Sequence, residues 1–316
     1  MTSSLTQFAN LAVTWLLLSV SLTWLFAALY PFTCHLLNKL NVYQRNALQL
    51  IYVVTPIISA SLVLLLLQSP NLPSTLVASH CHGELCGPHN LHFDTTPIEG
   101  AFLLGLFLVL VVAALFILGR QLFISRHYVA ALKQLSSEQA ANYRLVKADA
   151  MSAWCIGYWQ TQVYVTDKLV NKLNERQLAC VLAHEFCHAS RRDNLRKWLL
   201  FCLTTIWPHK LKQQIRTHYS NDSEIICDLA ALKIAGSPEK LTAITQLIGQ
   251  HCQQQNATQQ ANAKRQQALT QQLTLQPLHF LSLLTANTAM LCIWLGIMFL
   301  YVYLSHPFIE WLAQIL

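Results

Sequence analysis

Charge is scarce in this 316-residue chain. Asp, Glu, Lys and Arg make up only 11% of it, less than half of the share in an average soluble domain. The scarcity is also uneven: no Lys or Arg precedes Lys39, none lies in 68–99, and none follows Arg265. Each gap excludes something. With no basic residue ahead of it and no small-residue cleavage site behind it, the apolar N-terminus reads as a retained anchor and not as a secretory signal. The basic residues are scattered and not interleaved with aromatics on a strand. The net charge of +7 is therefore no nucleic-acid footprint.

Apolar residues fill the space that charge leaves. They make up 54% of the chain, and four runs are long enough to cross a bilayer: Phe8–Phe32, Leu48–Leu67, Gly100–Leu118 and Leu278–Leu304. A span needs roughly 20 such residues, and Pro56 inside the second is tolerable where neighbouring helices satisfy the freed carbonyl. Lys39 and Arg45 fall between the first two runs, and every other basic residue lies between Arg120 and Arg265. Basic residues stay on the cytoplasmic side. The expectation is an α-helical multi-pass protein of the cell inner membrane with both termini outside. Residues 1–118 would hold three spans, with an inner loop at 33–47 and an outer loop at 68–99. Residues 119–276 would be an inserted cytoplasmic domain, and 277–316 a fourth span with a short outer tail. The lipid bilayer is thus the first expected partner.

In the outer loop, Cys81 and Cys86 are crowded by His80, His82, His89 and His92. A disulfide is the default there, since the loop would face an oxidising compartment; a metal or redox sensor is the sharper alternative. In the inner domain, "TQVYVT" (161–166) alternates like a strand. Asn174 and Gln177 form a capping-box pattern ahead of a helix. A second helix is expected to start near 220–224, capped by Asp222 or Ser223, and to end at Gly236; another begins at Ser237-Pro238. The apolar stretch 195–208 is too short to span, and is either a buried helix or one at the membrane surface. Residues 246–276 read as a polar helix or tether. Cysteines 155, 180, 187, 202, 227 and 252 read as free thiols.

The chemistry sits in "AHEFCHASRRD" (183–193). His184 and His188 lie four apart, on one face of a helix, and can present imidazoles to one ion. Glu185, one residue round, can reach a water on that ion without binding it. Zinc lowers the pKa of such a water to about 7, and the carboxylate then takes its proton as a carbonyl is attacked. A catalytic zinc needs a third protein ligand and one open position. A metzincin would need glycine at position 191 and histidine at 194, where this chain has Arg191 and Asn194. Glu224, in "EIICD", is the favoured third ligand, with His218 and Asp228 as competitors. Asp228, four residues beyond Glu224, is placed to accept a hydrogen bond from a liganding imidazole. Four basic residues (Arg191, Arg192, Arg196 and Lys197) flank the motif helix, which argues against a motif inside a span.

"HEFCHASRRDNL", the Trp207-Pro208 pair and "EIICDLAAL", with the lead-in from Met151, resemble the BlaR/MecR-type family of integral-membrane zinc metallopeptidases. The resemblance covers about 145–236 in detail. It implies a mainly helical, zincin-like α+β metallopeptidase domain in which His184, His188 and Glu224 bind one zinc ion and Glu185 is the general base. It also implies that the 161–166 strand is the edge on which a substrate peptide adds. Receptors of that family carry a penicillin-binding sensor after the last span; this chain ends soon after Leu304 and has no Lys-Thr-Gly, so a member without that sensor is expected. HtpX-type quality-control peptidases share the motif and a distal glutamate. The expected function is a zinc endopeptidase that cuts a regulator, a partner or itself at the cytoplasmic face, under a regulatory partner in the membrane or outside it. The alternative is a non-enzymatic transducer that senses metal or redox state through the Cys81/Cys86 loop.

Overall fold

The computed structural model describes residues 4–68, 97–138 and 142–249, with short helical pieces between 267 and 303. The Cys81/Cys86 loop, Cys252, almost all of the 246–276 stretch and most of the fourth apolar run lie outside the described residues. The chain divides into two compact units. One comprises Met1–Leu29, Tyr52–Ile117 and Leu278–Leu316; the other comprises Tyr30–Ile51 and Leu118–Pro277.

Three long helices come first: α1 (Ser4–Leu37), α2 (Val42–Gln68) and α3 (Pro97–Gln134). Among the described residues, Gln7–Leu37, Val42–Leu66 and Leu104–Gln134 are long and apolar enough to cross a membrane. Helices suit that setting because they satisfy every backbone group internally. Within the first unit, Leu18, Leu22 and Phe26 of α1 recur at helical spacing and pack with Ala60 and Val63 of α2. Trp15 Nε1 donates to Ser61 Oγ at 3.0 Å, and Tyr52 donates its hydroxyl to the Phe26 carbonyl at 2.7 Å. Such hydrogen bonds and close packing hold helices together where lipid removes the hydrophobic drive. Along α3, Leu106, Val109, Leu115 and Phe116 are all exposed, as on a helix meant to be apolar all round.

The second unit carries a four-stranded sheet of β1 (Ser136–Glu138), β2 (Arg144–Val146), β3 (Ala153–Ile156) and β4 (Gln162–Thr166). Its order is β1-β2-β4-β3. β4 runs parallel to β2 on one side and antiparallel to β3 on the other. This corrects the expectation that 161–166 is the edge: β4 is interior, and β3 is the terminal strand. The burial pattern gives the reason. Val163, Tyr164 and Val165 are all buried, so side chains on both faces of β4 are covered, as in a central strand.

Five helices follow: α4 (Asp167–Lys172), α5 (Glu175–Arg191), α6 (Asp193–Leu203), α7 (His209–Ala235) and α8 (Pro238–Gly249). The capping box forms as expected, with Gln177 N–H donating to Asn174 Oδ1 at 2.9 Å and Asn174 N–H to Gln177 Oε1 at 3.0 Å. α5 and α6 are separated by Arg192 alone, whose left-handed backbone (φ 53°, ψ 46°) breaks the helix. The stretch 195–208 is one-sided: Leu200 and Trp207 are buried, while Phe201 and Ile206 are exposed. α7 starts at His209, behind Pro208, well before 220. Asp222 and Ser223 are therefore not caps but buried interior positions. Asp222 takes a bidentate pair from Arg45 (2.8 and 2.5 Å), and Ser223 Oγ donates to the Tyr219 carbonyl at 2.9 Å. Gly236, with φ 85°, ends α7 as expected, and Pro238 opens α8.

α5 lies between two apolar clusters. Leu182, with partly buried Phe186, meets Val163, Val165 and Leu169 of the sheet side. Cys180, with partly buried Cys187, meets Ile226, Ala231 and Ile244 of α7 and α8. Burying a side chain of this size stabilises by about 1.5–3 kcal/mol, so packing on two sides fixes the roll of α5. Its start depends on Asn174. Asn174→Ala should lower the stability of the full chain by about 1 kcal/mol, and Asn174→Asp should preserve it; equilibrium unfolding in detergent reads both.

Candidate metal centre

Helical spacing brings His184 and His188 together on α5, with their Nε2 atoms 3.2 Å apart. The packing of α7 on α5 then supplies Glu224. Its Oε2 lies 3.5 Å from His184 Nε2, and its Oε1 3.5 Å from His188 Nε2. One ligand atom from each of the three falls within 4.8 Å of the others. Each imidazole is also held from behind. His184 Nδ1 is 3.0 Å from Asp228 Oδ1, and His188 Nδ1 is 2.8 Å from Asp193 Oδ2. Both aspartates are almost completely buried, at 2% and 1% exposure.

Those two contacts set the chemistry of the pair. A carboxylate at Nδ1 selects the tautomer with the proton there, leaving Nε2 as a bare acceptor. Two bare acceptors 3.2 Å apart cannot bond each other; a proton or a cation must lie between them. Ligand atoms about 2.0–2.1 Å from a tetrahedral zinc stand about 3.3–3.4 Å apart. The two nitrogens stand near that edge length from each other, and each stands near it from one Glu224 oxygen, so the donor set fits zinc.

The sequence reading missed Asp193. Five residues past His188, it would point away on an uninterrupted helix. The left-handed turn at Arg192 restarts the chain and swings the carboxylate back to the imidazole. Arg191 Nε donates to Asp193 Oδ1 at 3.2 Å and compensates the buried charge. A positive φ at a non-glycine residue was not visible in the sequence.

Charge is concentrated here. Burial pulls the His188 imidazolium down, but hydrogen bonds to Asp193 and Glu224 outweigh it and push the group up to about 9. Burial pushes Glu224 up, but hydrogen bonds from both histidines, with the charges of His188 and Lys197, hold it well below the usual carboxylate range. Lys197 Nζ is 3.3 Å from Glu224 Oε1. The competitor His218 is engaged elsewhere, with Nδ1 3.1 Å from Tyr30 Oη and 3.3 Å from Cys34 Sγ. Burial raises the Tyr219 phenol to about 12.

Glu185 is half-buried and, with His184, lines a cleft of about 250 Å³ bounded by Ala153 of β3 and by Leu241 and Ile244 of α8. Thr166 N–H donates to the Ser152 carbonyl at 3.0 Å. By strand alternation, Ala153 and Cys155 then turn their backbone groups to the outer edge of the sheet. Asn194 Nδ2 donates to the Cys155 carbonyl at 2.9 Å and to Gly157 O at 3.4 Å. Asn194 thus covers one end of that edge and leaves the Ala153 end beside Glu185. Among the described residues, Cys155, Cys180, Cys187, Cys202 and Cys227 are free thiols.

The sequence profile described as BlaR1 peptidase M56 matches residues 13–276, most of the chain. No curated protein matches it significantly.

The His188 shift makes a signed prediction. A pKa raised from 6.5 to about 9 stabilises the metal-free fold fully below pH 6.5. That contribution is lost as pH rises through about 9. Melting in chelator should therefore fall across this window in the wild type and stay flatter in Asp193→Asn. Zinc must displace the same proton, so its apparent affinity should rise about tenfold per pH unit from pH 7 towards 9, as read by competition titration.

Proposed function

The chain belongs to the BlaR1 peptidase M56 family, and from that premise we propose that it is a zinc endopeptidase of the cell inner membrane. Membership carries membrane-associated metallopeptidase activity, a protein substrate and helices in contact with lipid. The finer reading is that His184, His188 and Glu224 hold one ion, and that Asp228 and Asp193 orient the imidazoles. When bound, the ion supplies Lewis acidity, lowering the pKa of a water and polarising the carbonyl to be attacked. Glu185, beside His184 in the cleft, takes the proton from that water and returns it to the leaving amine. Leu241 and Ile244 of α8 line the same cleft as Glu185. An extended substrate lies along the outer edge of β3 at Ala153, adding to the sheet by backbone hydrogen bonds.

The orientation rests on the basic residues, which between Arg120 and Arg265 favour a cytoplasmic domain. The substrate is then a cytoplasmic-facing protein, a regulator or the chain itself. A regulatory partner would act from the membrane or the outer side. One observation carries the proposal: two imidazoles and a glutamate converge within 4.8 Å, each imidazole backed by a buried carboxylate.

Glu185→Ala should retain zinc and lose about 10²–10⁴-fold of cleavage, scored on a peptide library or on fragments of co-expressed partners. Identical fragments from wild type and variant would sink the peptidase reading. His188→Ala should lose the metal by elemental analysis, and undiminished zinc would remove that residue from the ligand set.

A further inference from the structure

We propose that Asn46, near the start of α2, is a positioning residue for His188. The inference rests on the metal reading above and deepens it.

Asn46 is 1% exposed and lies in the same compact unit as the metal centre. Its amide nitrogen donates to the Tyr219 carbonyl at 3.2 Å and to Ser223 Oγ at 3.3 Å, both on α7. Its Oδ1 accepts from Arg191 Nη2 at 2.6 Å. The partners leave no freedom in the amide's orientation, because a carbonyl can only accept and a guanidinium can only donate. Arg191 then donates through Nε to both oxygens of Asp193, Oδ1 at 3.2 Å and Oδ2 at 3.4 Å, and Oδ2 meets His188 Nδ1 at 2.8 Å. A continuous run of side chains thus leads from α2 to the back of a proposed metal ligand.

Each link has a directional consequence. A guanidinium is a rigid fork, so fixing Nη2 at Asn46 fixes where Nε points. Nε leans on both oxygens of Asp193, so its position limits how far the carboxylate that meets His188 can rotate. Without Asn46, Arg191 keeps its charge but loses its far anchor, and the Asp193 carboxylate can rotate. Groups outside the ligand shell that orient an imidazole typically matter 10–100-fold in metal affinity.

Asn46 is not needed to fasten α2 to α7, because the neighbouring Arg45 makes the bidentate pair with Asp222. Positioning can therefore be separated from attachment. The test uses the full chain in detergent, with Co²⁺ replacing zinc as a spectroscopic probe. Asn46→Ala should weaken zinc about 10-fold and shift the visible Co²⁺ bands. In an Arg191→Ala background the same change should alter affinity less than about 2-fold, since contacts in one network are not additive. Unchanged Co²⁺ bands, or equal weakening in both backgrounds, would overturn the proposal even if the melting temperature falls. Should Asn46→Ala fail to fold, Arg191→Lys keeps the charge beside Asp193 but lacks the fork that reaches Asn46, and should shift the bands likewise; unshifted bands would count against the proposal. A wild-type chain that binds neither ion would overturn the metal reading itself, and this inference with it.

Discussion

The hydrogen bonds from two imidazoles to two buried carboxylates are the contacts around which the second unit is organised. A buried carboxylate is costly unless its charge is compensated and its oxygens are bonded. Asp228 meets that requirement with His184. Asp193 meets it with His188 and Arg191, and the Cys227 thiol is 3.9 Å from Oδ2, the oxygen that meets His188. The carboxylates in return hold the ring orientations, so both Nε2 atoms face Glu224. Moving either aspartate into water would leave the histidines free to take another orientation. The tight apolar packing on both sides of α5 prevents that movement.

Much of this arrangement was written in short-range spacing. His184 and His188 are four apart, and so are Glu224 and Asp228; helical periodicity alone puts each pair on one face. The capping box at Asn174 and the stop at Gly236 are likewise local, and both appear where expected. What could not be read is whatever depends on a break in periodicity or on long-range pairing. Asp193 is five residues from His188, about 140° round a continuous helix, and reaches it only because Arg192 interrupts the run. α7 begins well before 220 because Asp222 and Ser223, good capping types, are instead consumed by Arg45 and Tyr219. The edge at 161–166 was what the family resemblance implied; strand order depends on long-range pairing, which the alternating composition of that stretch does not fix.

The second unit also recruits chain from the first two apolar helices. Tyr30 and Cys34 at the end of α1 contact His218, while Arg45 and Asn46 near the start of α2 contact α7. One helix, α7, therefore receives both sets of contacts in its first half and carries Glu224 and Asp228 in its second. At 1.5 Å per residue, the 27 residues of α7 form a stiff rod of about 40 Å. His218 and Asp222 precede Glu224 by only six and two residues on that same helix.

β3 is only four residues long, which bears on how a substrate laid along it, as proposed, would leave. Its outer edge is part-covered by Asn194, so an extended chain laid against it gains very few backbone hydrogen bonds. Each is worth only about 0.5–1.5 kcal/mol net, too little to hold a cleaved fragment for long. On the proposed reading, a short, half-closed edge favours rapid departure of products over tight retention. It also denies other copies of the chain a long template on which to polymerise. On that same reading, selectivity comes from side-chain fit along the cleft beside Glu185, where Leu241 and Ile244 offer an apolar wall.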